Sequence, residues 1–107
     1  MTDLTGCYAV IFTNELRPEL GDDGHEGYDA MAARMVELSA DQPGFLSIKS
    51  VRDGLAGITV SYWESEAAIA AWKANAEHTL ARERGRADWY ADYQLQVCKV
   101  ERAYGFG

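Results

Sequence analysis

No run of eighteen or more apolar residues occurs in this 107-residue chain, so a helical membrane span is not expected. Basic residues are scarce too: ten Lys and Arg stand against seventeen Asp and Glu, a formal net charge of −7. Binding phosphates needs a surplus of Lys and Arg on one face, so nucleic acid and anionic membranes are not expected partners. The single basic cluster, Arg82, Arg84 and Arg86, has Glu83 and Asp88 among it and reads as a solvated helix with local ion pairs. Histidine is limited to His25 and His78, and cysteine to Cys7 and Cys98. No spacing of these four resembles a zinc or iron–sulfur motif, and no dinucleotide fingerprint is present, so no cofactor is expected. The cysteines read as two small buried hydrophobes, held as thiols in a reducing compartment. Residues 1–7 include Asp3 and no basic residue, which does not resemble a secretory signal and favours a cytoplasmic protein.

What the chain does have is apolar periodicity. Its length suits one domain and is too short for two, with a core over about residues 7–102 and a tail over 103–107. Cys7–Thr13 alternates, Tyr8, Val10 and Phe12 on one face and Cys7, Ala9, Ile11 and Thr13 on the other. Both rows are fairly apolar, as expected of a central strand covered on both sides. Asn14 continues the Tyr8 row at the strand's end. Pro18, Gly21 and Gly24 among Glu19, Asp22, Asp23 and Glu26 then predict an acidic surface loop.

Tyr28, Met31, Ala32, Met35 and Leu38 recur at helical spacing, and Asp41, Pro43 and Gly44 end the helix. Burying four such side chains contributes about 6–12 kcal/mol before entropy, so this helix needs a sheet to lie on. Phe45–Val51 and Ile58–Trp63 read as strands joined by a loop of six residues containing Asp53-Gly54. Ser65 reads as the cap of an alanine-rich helix carrying Ile69 and Trp72, with Asn75 interrupting it before a second helical stretch, about 77–86. Tyr93–Val100 is the last strand, with Tyr93, Leu95 and Val97 on one face. The order β-α-β-β-α-β predicts a ferredoxin-like α+β fold with a four-stranded antiparallel sheet and both helices on one face. The other face, fairly apolar, should be covered by a second copy, and the tail aromatics Tyr104 and Phe106 should pack on that partner.

The stretches PGFLSIKSVRDG (Pro43–Gly54), ITVSYWESEAAIAAWKANAEH (Ile58–His78) and VERAYGF (Val100–Phe106) resemble the antibiotic biosynthesis monooxygenase superfamily. The resemblance implies a dimeric α+β barrel, a homodimer with a small-molecule pocket in each subunit between sheet and helices. It also implies a range of activities: cofactor-independent monooxygenases of phenols, haem-degrading enzymes, quinol oxygenases and proteins without known chemistry. Cofactor-free oxygenation requires a substrate that becomes an electron-rich anion, plus a dry pocket, a proton acceptor and oxyanion donors. The haem-degrading branch uses an Asn, a Trp and a His. Asn14 and Trp72 match the first two, but Arg82 stands where the axial histidine would be, and an arginine cannot ligate iron.

Five residues are therefore candidates. Trp72 either fills the core or lines the pocket. Asn14 is either a buried pocket amide or a strand-end cap. His78 could take a proton or could sit in water at the start of a helical stretch. Arg82 could hold a substrate oxyanion or could be solvated, and Tyr62 could donate its hydroxyl into the pocket or pack structurally. His25, in the acidic loop, is assigned no role. The competing class is a non-catalytic dimer that binds a small apolar ligand or assists another protein. Asn14 and Trp72 facing one cavity would favour the enzyme; Asn14 and His78 in solvent would favour the binder.

Overall fold

β1 (Tyr8–Leu16) pairs antiparallel along both edges, with β3 (Ala56–Trp63) on one side and β4 (Tyr90–Lys99) on the other. β2 (Phe45–Asp53) adds to β3, completing the order β2-β3-β1-β4 in the computed structural model. The model describes residues 3–83 and 89–106, without the side chains of residues 20–27 and 77–83. Two helices connect the strands, α1 (Gly21–Ala40) and α2 (Glu66–Glu83), giving the expected ferredoxin-like α+β arrangement. No helix among the described residues is long and apolar enough to cross a membrane.

Strand periodicity decides which side chains meet the helices. Tyr8, Val10, Phe12, Asn14 and Leu16 share a face with Trp63, Ser61 and Thr59, their partners on β3. Trp63 is fully buried there, its indole donating to Ser61 Oγ at 2.9 Å. Tyr28 and Met31 of α1 are buried over the same face. The opposite face carries Ala9, Ile11, Tyr62 and Val60, but also Thr13, Glu15, Gln94 and Gln96. Its apolar character thus runs along only part of β1, less than the two greasy rows suggested. The larger exposed apolar row lies on β4: Tyr93, Leu95 and Val97 are each about half exposed on the helix side of this edge strand.

Several local expectations change. The acidic segment after β1 is not a loop: a short 3-10 turn (Pro18–Leu20) leads straight into α1. Acids in a helix's first turn are favoured by the macrodipole, which outweighs the glycines there. Asn75 does not break α2, since an interior asparagine costs well under ~1 kcal/mol among helix-favouring alanines. Ser65 does cap it, accepting from Ala68 N at 3.1 Å. The β2–β3 connection is tighter than six residues: Asp53 pairs with Ala56, leaving Gly54 and Leu55 as the turn, with Gly54 at φ 60° as primed hairpin turns require. Cys98 is exposed and Cys7 half-buried, both as free thiols, so neither is a buried core residue.

Gly44 explains the Pro-Gly-Phe entry to β2. Its φ is 85°, and an added Cβ would lie 2.6 Å from the Ala68 Cβ, so β2 starts hard against the first turn of α2. Gly54 also has positive φ but open space around it. By urea unfolding, Gly54→Ala should cost about 1–2 kcal/mol from backbone strain alone. Gly44→Ala should cost about 1–3 kcal/mol more, because Ala68 cannot retreat without moving the helix. Equal costs would refute the close-approach explanation.

Candidate functional site

The buried end of β1 is built around an amide and a cation. Asn14 is only 5% exposed, on the helix-covered face. Its Oδ1 accepts from Arg52 Nη2 at 2.7 Å, and the same Nη2 donates to the Tyr28 hydroxyl at 3.1 Å. Arginine offers no acceptor, so the amide atom facing it is the oxygen. Arg52 Nη1 donates to the Leu55 carbonyl at 2.8 Å, and Cζ lies 5.1 Å from the centre of the Tyr28 ring. The guanidinium thus ties the β2–β3 turn, β1 and α1 together.

Gly57 makes this reach possible. It stands opposite both Asn14 on β1 and Arg52 on β2, and an added Cβ would collide with the guanidinium, lying 2.6 Å from Cζ. The side chain of Arg52 therefore crosses bare backbone to reach Asn14.

Tyr90 completes the cluster from the other edge. Its hydroxyl donates to that of Tyr28 at 3.2 Å, and its ring packs edge-on against Phe12 and Tyr28. Trp89 and Tyr93 lie against Tyr28 and Phe12 in turn. Arg17, just past β1, holds the start of β4 by donating from Nε to the Tyr90 carbonyl at 3.2 Å and from its backbone to Trp89. Burial, and then the hydrogen bond to Tyr28, push the Tyr90 hydroxyl well above the ordinary tyrosine range, so it remains a neutral donor.

A register shift brings Tyr90 here. Glu15 pairs with Asp92 but Leu16 pairs with Tyr90, so Ala91 is an extra residue. Counting by twos from Tyr93 would put Tyr90 on the open face; the bulge turns it under α1. A comparable shift at Leu46 places Phe45 opposite Trp63.

The sequence candidates separate. Trp72 is half-buried and stacks on Trp63, with centroids 6.1 Å apart and planes at 22°, while Phe45 meets Trp63 edge-on. That aromatic group sits where Trp63 pairs with Tyr8, about 20 Å along β1 from Asn14. Asn14 and Trp72 therefore share the layer between sheet and helices but belong to different clusters. Tyr62 pairs with Ala9 and faces away from the helices, so it does not line that layer, because odd and even strand positions point oppositely. His78 and Arg82 fall on α2, and their side chains lie outside the described residues.

Arg52, Tyr28 and Tyr90 were not singled out from the sequence. Arg52 looks like a turn residue and Tyr28 like one more member of an apolar stripe. The available signal was Gly57: a glycine inside a strand often marks close approach by another group.

A family model described as antibiotic biosynthesis monooxygenase matches residues 8–84. Over 97 residues the chain is 50% identical to the YqjZ protein of Bacillus subtilis, covering 89% of this chain and 80% of that one. It is 28% identical over 91 residues to a jasmonate monooxygenase of Pyricularia oryzae, covering 85% of this chain but 35% of that longer protein. Among solved structures, SnoaB, a cofactor-independent oxygenase from Streptomyces nogalater, has a TM-score of 0.73 at 13% identity, covering 92% of this chain and 97% of its own. PA3566 from Pseudomonas aeruginosa has a TM-score of 0.72 at 18% identity, covering 90% and 95%. At these identities the structural likeness speaks to the fold.

The raised Tyr90 hydroxyl has a pH signature. Above about pH 10 an unfolded tyrosine ionises while native Tyr90 keeps its proton, so its contribution to stability is present below that pH and lost as pH rises. Tyr90→Phe should flatten the alkaline fall in urea midpoint relative to the unmodified protein. Parallel curves would show that Tyr90 is not held protonated.

Proposed function

The chain belongs to the antibiotic biosynthesis monooxygenase family, and on that footing we propose that it oxygenates a small aromatic, phenolic or quinol-like compound without metal or organic cofactor. The observation that carries this reading is Asn14. An amide buried to 95% has its oxygen occupied by Arg52, and its Nδ2 hydrogens have no partner among the described residues. A buried donor left free is costly in a purely structural setting and useful where an oxyanion forms. The names of a distant relative, a jasmonate monooxygenase, and of a structural neighbour, a cofactor-independent oxygenase, support the same class of chemistry.

In this scheme the substrate loses a proton to become an electron-rich anion. The anion reduces dioxygen by one electron, the two radicals join through a C–O–O bond, and loss of water leaves a carbonyl. One oxygen atom ends in the product and the other in water, with no outside reductant. Asn14 steadies the anionic oxygen. His78 is assigned as proton acceptor and Arg82 as a second substrate contact on side-chain chemistry alone. Trp72, about 20 Å along β1 from Asn14, lies too far away to touch the same small substrate and has no role in this scheme.

The second reading, a non-catalytic small-ligand binder, draws on Trp72, whose stacking on Trp63 is ordinary core packing. Oxygen uptake separates the two. Screened against phenols, hydroquinones and haem, the protein should consume oxygen with a phenol or hydroquinone. Asn14→Ala should then lower kcat/KM by about 10²-fold, the loss usual for one oxyanion donor. No uptake with any compound would leave the binder.

We also propose a homodimer. The half-exposed Tyr93, Leu95 and Val97, together with Tyr104 and Phe106 standing almost fully in solvent, are surfaces a second copy would cover. Sedimentation should give a dimer, and removing residues 103–107 should weaken it measurably; a monomer at all concentrations would overturn the assignment.

A further inference from the structure

We propose that Arg52 is a positioning residue that turns the free protons of Asn14 and Tyr28 toward one ligand oxygen, so that this site holds its substrate more tightly as an oxyanion, a phenolate or enolate, than as the neutral molecule. The inference rests on the reading of the site as one for phenolic compounds and specifies the form in which they bind. Both acceptors sit on the same nitrogen, Arg52 Nη2, which makes Asn14 Oδ1 and the Tyr28 oxygen close neighbours. The Tyr28 oxygen also accepts from Tyr90, and Arg52 cannot accept, so the proton of Tyr28 is directed to neither of these partners. Two hydrogen-bond donors, Asn14 Nδ2 and Tyr28 Oη, are therefore oriented by one cation and left without partners among the described residues.

The charge itself points the same way. The chain carries seven more acids than bases, yet among the described residues no carboxylate pairs with Arg52; its partners are two carbonyl-type oxygens and a phenol. A cation bonded only to neutral acceptors retains its field and polarises them, strengthening the donors on their far sides. Among the described residues, the ionisable group in direct contact with it is Tyr28, which Tyr90 touches in turn. Arg52 is exposed while Asn14 and Tyr28 are buried, so the cation links solvent to the two buried donors. Gly57 supports the assignment. A Cβ at position 57 would meet the guanidinium and displace it from Asn14.

The test uses 4-nitrophenol, whose yellow phenolate is seen directly. Titrated across its own ionisation with and without protein, the probe should bind at least about tenfold more tightly as phenolate than as phenol, the scale of one charge-assisted hydrogen bond. Arg52→Met should abolish that preference. Gly57→Ala, which keeps the charge but displaces the guanidinium, should abolish it as well, with circular dichroism confirming the fold of both. Arg52→Lys keeps a charge but not the two-acceptor hold, and should lose more than half of the preference in free-energy terms. Three results would overturn the proposal: equal binding of the two forms or no binding by the unmodified protein, a preference that survives Arg52→Met or Gly57→Ala, or a preference left whole by Arg52→Lys. Oxygen uptake is measured in parallel. A phenolate preference without uptake would end the oxygenase reading and leave the anion site; uptake with unchanged titrations in the variants would end the anion site alone.

Discussion

Everything in this molecule is referred to β1. It is bonded along both edges, so its register fixes the positions of β3 and β4 together and cannot slip without moving every side chain to the wrong face. Along one face it presents apolar residues to the helices and then, at Asn14, a polar one. The aromatic packing at Trp63 belongs to one end of that row and the hydrogen-bonded cluster at Arg52 to the other. The sheet thereby keeps an apolar region and a polar region apart beneath one layer of helices.

The polar region is held by a small number of strong restraints. A guanidinium fixed by three acceptors and resting on a ring loses little further entropy when a ligand arrives, which is the condition for a preorganised site. The same bonds also join the hairpin tip to α1, so the geometry of the cluster and local stability are coupled there.

The topology could be read from the sequence because the alternation in Tyr8–Phe12 and Ile58–Trp63 and the helical stripe from Tyr28 to Leu38 each report a single period. Asn14 could be picked out because it is the polar member of an apolar row. Its partners could not. Arg52 is an arginine beside a turn, and its importance comes from the glycine across the hairpin and an amide two strands away. Tyr62 shows the reverse case: an aromatic in a strong strand pattern, but on the row with Ile58 and Val60, away from the helices. The acidic stretch before Tyr28 reads as a loop by its glycines and proline, which hide the preference of helix starts for negative charge.

The extra residue at Ala91 makes chain length itself a chemical variable. Tyr90 reaches Tyr28 only because one more alanine than the pairing requires lies between it and Asp92. Gaining or losing a residue in that short stretch would take the Tyr90 hydroxyl out of the amide's neighbourhood, while every residue upstream stayed the same. Among relatives, spacing at the start of the final strand is therefore as informative about this corner of the protein as residue identity.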